Sequence, residues 1–176
     1  ENFDASTMPS GWSQQVSGAG ITNDRWTISL TNTAGGTINE IKCTYMSTNP
    51  SPGLTRVITP AINTVGITGI NLSFKHFFDA FGTGVNLRIQ SSKDMITWTN
   101  ESWSLLSVTT NIGPTTVTTP VTNNLNSSNT YIAFEVDGDL YQFDNWFIDN
   151  VSITNACTPT IQATAFGASS ITSSSM

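Results

Sequence analysis

The sequence predicts an all-β protein, an antiparallel two-sheet sandwich of the jelly-roll kind with nine or ten strands. Three observations carry that prediction. Apolar and polar residues alternate along most of the chain, and no i, i+3, i+4, i+7 pattern persists beyond two helical turns. Ser, Thr and Asn make up more than a third of the 176 residues, leaving few strong helix formers. Pro, Gly and Asp interrupt the apolar runs at intervals of roughly 8 to 15 residues, the spacing of short strands in a sandwich.

Taken in order, Trp26, Ile28 and Leu30 alternate with Thr27 and Ser29, and Ala34-Gly35-Gly36 turns the chain toward a second strand at 38–45. Val57 and Ile58, then 70–78, 85–90 and 95–99, read as further strands, followed by 103–108. The Thr-rich stretch 115–121 has the polar β-branched composition of an exposed edge strand and is closed by Pro120. Segments 130–136 and 146–154 complete the set. Residues 1–155 therefore form the jelly-roll domain. Residues 156–176 are small, polar and nearly chargeless like a linker, yet Ile161, Ala163 and Ala165 alternate as the truncated start of a following β-sandwich module would.

One large domain of this length buries a core without staples, and 10% aromatic residues with five Trp mark a chain that folds. A net charge of -6 argues against nucleic acid or an anionic lipid surface as partner, and no apolar run is long enough for membrane insertion. A chain opening on Glu1 says nothing about an export leader. All six basic residues lie at or before Lys93, whereas seven of the twelve acids follow it. Converging carboxylates in that half must find a bound cation or solvent. Cys43 and Cys157 allow one bridge; the alternatives are a buried thiol at Cys43 and a Cys157 that pairs beyond this chain.

The last strand holds the most informative residue. Asp149 shares a register with Phe147, Val151 and Ile153, so its carboxylate sits on an apolar face. Burying it bare costs several kcal/mol (about 3 or more). Two arrangements relieve that cost: Ca²⁺, which takes hard oxygen ligands, or hydrogen bonds from backbone N–H groups. If the first and last strands are neighbours, Glu1 or Asp4, which flank the isolated Phe3, can share the ion with Asp149 and tie the chain ends together.

The loop from Asp137 through Asp139, Tyr141 and Asp144 to Trp146 is the candidate ligand-binding surface, since carboxylates bind sugar hydroxyls or cations and Tyr141 or Trp146 can stack on a pyranose. Asp137-Gly138 also reads as an ordinary hairpin turn, and Trp146 as a core residue. His76, the only histidine, alternates with Leu72, Phe74 and Phe78 and reads as a core imidazole, which leaves neither a zinc site nor a serine or cysteine nucleophile system. Glu135 and Asp137 form an E-x-D pair resembling laminarinase-like glycoside hydrolases, but residue 140 is Leu where the acid-base partner belongs, so Glu135 is expected to face solvent or to assist an ion with Asp137 and Asp139, and the chain to be no enzyme.

Several short motifs recur in one order. Glu1-Asn2-Phe3-Asp4, Pro9-Ser10-Gly11-Trp12, Ile58-Thr59-Pro60-Ala61-Ile62, Leu72-Ser73-Phe74-Lys75-His76, Ser92-Lys93-Asp94 to Thr97-Trp98, and Ile148-Asp149-Asn150-Val151 resemble the signature of bacterial cleaved-adhesin modules and the related MAM domains. The resemblance implies an extracellular module of a secreted or cell-surface bacterial protein, monomeric and carried beside other modules of the same chain. It implies adhesion to host protein or glycan, and a structural Ca²⁺ whose ligands fall on Glu1, Asp4 and Asp149. A carbohydrate-binding accessory module of a glycosidase or protease is the alternative. Residues 93–98 depart from the pattern, with Met95 and Ile96 in place of a Gly-rich turn.

Overall fold

The computed structural model describes residues 1–18, 21, 23–82 and 84–156. Ten strands are present among them: β1 (Ser13–Ser17), β2 (Trp26–Ser29), β3 (Glu40–Thr44), β4 (Pro52–Ile58), β5 (Ile70–Ala80), β6 (Val85–Ser92), β7 (Thr99–Val108), β8 (Ile112–Val121), β9 (Tyr131–Asp139) and β10 (Phe143–Asn155). They form two antiparallel five-stranded sheets, β1-β4-β9-β6-β7 and β2-β3-β10-β5-β8. The expected all-β sandwich is the observed one. No described helix is long and apolar enough to cross a membrane.

Alternation decides the layering. On β5, Leu72, Phe74, His76 and Phe78 are buried while their neighbours are only partly so, and Ile132, Phe134 and Val136 of β9 meet them from the opposite sheet. Phe74 packs edge-on against Phe134 at 5.0 Å, and Trp103 stacks on Trp146 at 6.2 Å. Trp26 Nε1 donates to Thr55 Oγ1 across the sheets at 3.1 Å. His76 lies in this core, its Nδ1 accepting from Trp146 Nε1 at 3.3 Å, and burial lowers its pKa to about 4. The imidazole is neutral and packed on every side, the core role expected of it. Cys43 is also buried, and burial pushes its thiol well above the usual range. Cys157 and the expected following module lie outside the described residues.

Two expectations about elements need correction. Of residues 95–99 only Thr99 is in a strand, as the start of β7: Asp94 Oδ1 accepts from the Ile96 and Thr97 N–H groups at 2.8 Å each, and Met95 takes a positive φ of 58°, so 95–98 is a side-chain-stabilised turn. β1 was not expected, because Val16 is its only large apolar residue. The first strand also pairs with β4, in the sheet opposite to β10. The chain start nevertheless reaches the last strand, because Glu1 exchanges main-chain hydrogen bonds with Val151: Val151 N–H donates to Glu1 O at 2.9 Å and the Glu1 amine donates to Val151 O. Phe3 is fully buried beside Trp12.

Candidate functional site

Three polar constellations stand out, each a carboxylate held by strand geometry. The first surrounds Asp149. Trp146 and Ile148 of β10 point into the core, so Phe147 and Asp149 point outward, and the register against β5 shifts between Asp149 and Ser152 around Asn150, whose φ is 52°. The irregularity returns Val151 to the core. Asp149 thus shares a face with Phe147 as expected, but it is the outer face. Its complete burial comes from the loop between β2 and β3, which crosses so closely that a Cβ on Gly36 would overlap Asp149 Oδ2.

Asp149 Oδ1 accepts from Asn150 N–H at 2.7 Å, whereas Oδ2 is buried with no partner among the described residues. Burial raises the carboxyl above its ordinary range and the charges of Glu40 and Asp4 raise it further, against the lowering pull of the Asn150 N–H and, more weakly, of the Thr37 N–H, which lies too far off line to count as a hydrogen bond. Glu40, which sequence reasoning missed, is fully buried and ties the covering loop: Oε1 accepts from Thr31 Oγ1 at 2.6 Å and Thr33 N–H at 2.7 Å, and Oε2 from Ala34 N–H at 2.7 Å. Asp4 accepts from Thr37 Oγ1 at 3.3 Å, and its carbonyl from Asn39 Nδ2 at 2.6 Å. The Glu1 carboxylate accepts from Phe3 N–H at 3.0 Å. Lys75, opposite Asp149 in the β5–β10 register, donates to Gly35 O at 2.6 Å and makes no ion pair with the carboxylate. Among the described residues no three His, Cys, Asp or Glu side chains converge as a metal-ligating group. An orphaned carboxylate oxygen with two more acids nearby is a hard-oxygen environment that suits Ca²⁺, provided loop carbonyls and water complete the six to eight ligands it takes.

The second constellation lies on the outer face of the other sheet. Glu135, Arg56 and Arg88 stand side by side in register on β9, β4 and β6. Arg56 Nη2 meets Glu135 Oε2 at 2.5 Å, and Arg88 Nη1 meets Glu135 Oε1 at 3.1 Å and Asp137 Oδ2 at 2.7 Å. Arg56 Nε also donates to Gln90 Oε1 at 2.7 Å and its guanidinium lies 5.1 Å from the Trp98 ring. Glu135 is 1% exposed, so it does not face solvent as expected. Burial pushes its carboxyl upward and the two guanidiniums pull it back. With two cations against it, the ionised form is the one held here, and neither Glu135 nor Asp137 is free for acid-base work.

The third constellation is at one end of the sandwich. Tyr45, Ser47, Phe81, Tyr141 and Asp144 line a pocket of about 240 Å³. Its walls hang from the turn between β9 and β10 and from the start of β10: Tyr45 N–H donates to Asp144 O at 3.1 Å and Phe81 N–H to Gln142 O at 3.2 Å. Asp139 braces the turn, Oδ1 accepting from Ser51 N–H at 2.7 Å and Tyr141 N–H at 3.1 Å, Oδ2 from Gln142 Nε2 at 3.2 Å. Burial alone would raise the Asp139 carboxyl, but these bonds outweigh it and hold it below its usual range. Of the loop residues expected to bind ligand, Tyr141 and Asp144 reach the pocket. Asp139 supports it, Asp137 serves Arg88, and Trp146 is fully buried in the core, where no ligand can meet it. Tyr45, Ser47 and Phe81 were not foreseen, because only the fold brings them to residue 141.

No family model matches the chain, and no curated protein matches it in sequence. Solved structures share its fold. The K1 cleaved adhesin domain of Lys-gingipain from Porphyromonas gingivalis superimposes with a TM-score of 0.59 at 15% identity, covering 89% of this chain and 97% of that domain. The K3 cleaved adhesin domain of the same protein gives 0.58 at 16% identity, with 88% and 97% covered. A carbohydrate-binding module, TmCBM61, solved with β-1,4-galactotriose, gives 0.52 at 14% identity, with 88% and 94% covered. The shared architecture is that of adhesin and carbohydrate-binding modules. Identities this low establish fold and leave ligand chemistry to the chain's own residues.

Proposed function

We propose that this chain is a non-catalytic recognition module of a secreted or cell-surface protein, that it binds protein or glycan through the pocket walled by Tyr45, Phe81 and Tyr141, and that a Ca²⁺ ion under the β2–β3 loop stabilises it. The observation that carries the binding reading is the pocket itself: aromatic walls fixed to backbone, with an acidic side chain at the rim. Aromatic surface presented on a braced turn loses little conformational entropy when a ligand arrives. The fold shared with adhesin and carbohydrate-binding modules supports the same reading.

The ion would be held by Asp149 with Asp4 and Glu40 as neighbouring acids, and its chemistry would be electrostatic, neutralising a carboxylate whose Oδ2 has no hydrogen-bond partner among the described residues. Glu1 contributes through its main chain, which lies along β10 at Val151.

Binding of the wild type and Tyr141→Ala to a glycan array and to immobilised matrix proteins tests the proposal. Saturable binding that Tyr141→Ala abolishes supports it, with the array distinguishing a carbohydrate-binding accessory module from a protein adhesin. Binding undiminished in Tyr141→Ala would place recognition elsewhere, and cleavage of β-glucan would overturn the non-catalytic assignment.

A further inference from the structure

We infer that the end pocket recognises an organic ammonium group. This deepens the pocket reading above and rests on it. The rings are not a flat platform. Tyr141 stands at 75° to Tyr45 with centroids 6.4 Å apart, and at 87° to Phe81 with centroids 5.4 Å apart. A pyranose stacks on a single exposed ring face or between parallel ones, whereas rings meeting near right angles make a corner in which a compact cation meets π-electron density from more than one direction.

Charge points the same way. Asp144 is the only charged residue lining the pocket, and among the described residues its carboxylate has neither a hydrogen-bond nor an ion-pair partner. Arg25, which reaches the Tyr45 main chain, is turned to backbone, its guanidinium donating to the Thr44 and Tyr45 carbonyls. The Tyr45 and Tyr141 side chains likewise make no hydrogen bond to the described residues, which leaves both phenols free to accept from an N–H donor.

Size narrows the class further. About 240 Å³ is smaller than the roughly 300–1,000 Å³ of drug-sized sites, so the pocket has room for one small group of a ligand. An anion is rejected by Asp144 and by the ring faces. What remains is an ammonium on a short stem, supplied by a lysine side chain of a protein, an amino sugar of a glycan, or a choline headgroup.

Titration calorimetry with charged and neutral pairs tests this: choline against dimethylbutanol, glucosamine against glucose, and N-acetyl-lysine methylamide against its norleucine counterpart. The charged member of at least one pair should bind about tenfold more tightly, Asp144→Asn should remove about tenfold, and Phe81→Leu, at a side chain 59% exposed, should weaken binding without altering the melting temperature. The pair with the largest preference identifies the source. Equal affinity for charged and neutral members, or full affinity in Asp144→Asn, overturns the inference. If neutral glycans bind and Tyr141→Ala abolishes that binding, the pocket reading stands and the ammonium assignment falls. If no probe, no glycan and no matrix protein binds, both fall.

Discussion

Glu135 and Asp149 are both carboxylates removed from water on the outer face of a sheet, and they are solved in opposite ways. Glu135 has a guanidinium on each side, from Arg56 and Arg88 on the adjoining strands, and its Oε2, which accepts no hydrogen bond of regular geometry, lies in charge contact with Arg56 Nη2. Asp149 has one hydrogen-bonded oxygen and one without a partner among the described residues, two further acids, Asp4 and Glu40, near it, and across the sheet a lysine, Lys75, that is turned to a backbone carbonyl. The contrast separates burial that the fold itself compensates from burial that demands something from outside. Glu135 belongs to the architecture. Asp149 is the residue that the proposed ion would satisfy.

Variants at the two positions should therefore differ in sign as well as size. Glu135→Gln leaves Arg56 without a carboxylate and Arg88 with Asp137 alone, and is expected to cost about 3 kcal/mol, a fall in melting temperature of about 10 °C that Ca²⁺ does not change. Thermal melts in chelator and in excess Ca²⁺ check both parts. Gly36→Ala drives a methyl into Asp149 Oδ2 and should cost about 2 kcal/mol while weakening any calcium response, because the covering loop must lift. Asp149→Asn in chelator should do the reverse of Glu135→Gln and raise stability by about 1 kcal/mol, since it removes an uncompensated charge. A large loss there would mean that Asp149 is satisfied by the chain after all. Asp144→Asn, at the pocket rim, should change stability by less than about 0.5 kcal/mol, so any loss of ligand binding reports recognition and not folding.

The same contrast explains what could be read in the sequence. β5, β6, β9 and β10 were legible because their alternation is strong and both faces are defined by burial. Asp149 was legible as a buried acid for the same reason, but its face was not. The irregularity around Asn150 moves Val151 to the core, and a local bulge leaves no periodic trace. Glu135 was correctly placed on the outward face, yet outward did not mean exposed. Arg88 and Arg56 lie 47 and 79 positions before it and cover it only once β4, β9 and β6 are neighbours. Glu40 was missed because its partners are backbone N–H groups and a hydroxyl of a loop, which offer no charge pattern to read. The pocket divides likewise. Tyr141 and Asp144 stood out in their loop, whereas Tyr45 and Phe81 meet them only through hydrogen bonds made after the sheets form.

The account turns on the unpaired oxygen of Asp149, and calcium-dependent melting tests it most directly. At pH 7.5, where His76 is neutral in both the folded and unfolded chain, free Ca²⁺ at 100-fold above its dissociation constant should stabilise the wild type by about 2.7 kcal/mol relative to chelator, a rise of about 5–10 °C. Asp149→Asn should abolish most of that rise. Superimposable wild-type melts in chelator and in Ca²⁺, with no heat on titrating the ion into chelator-treated protein, would contradict it.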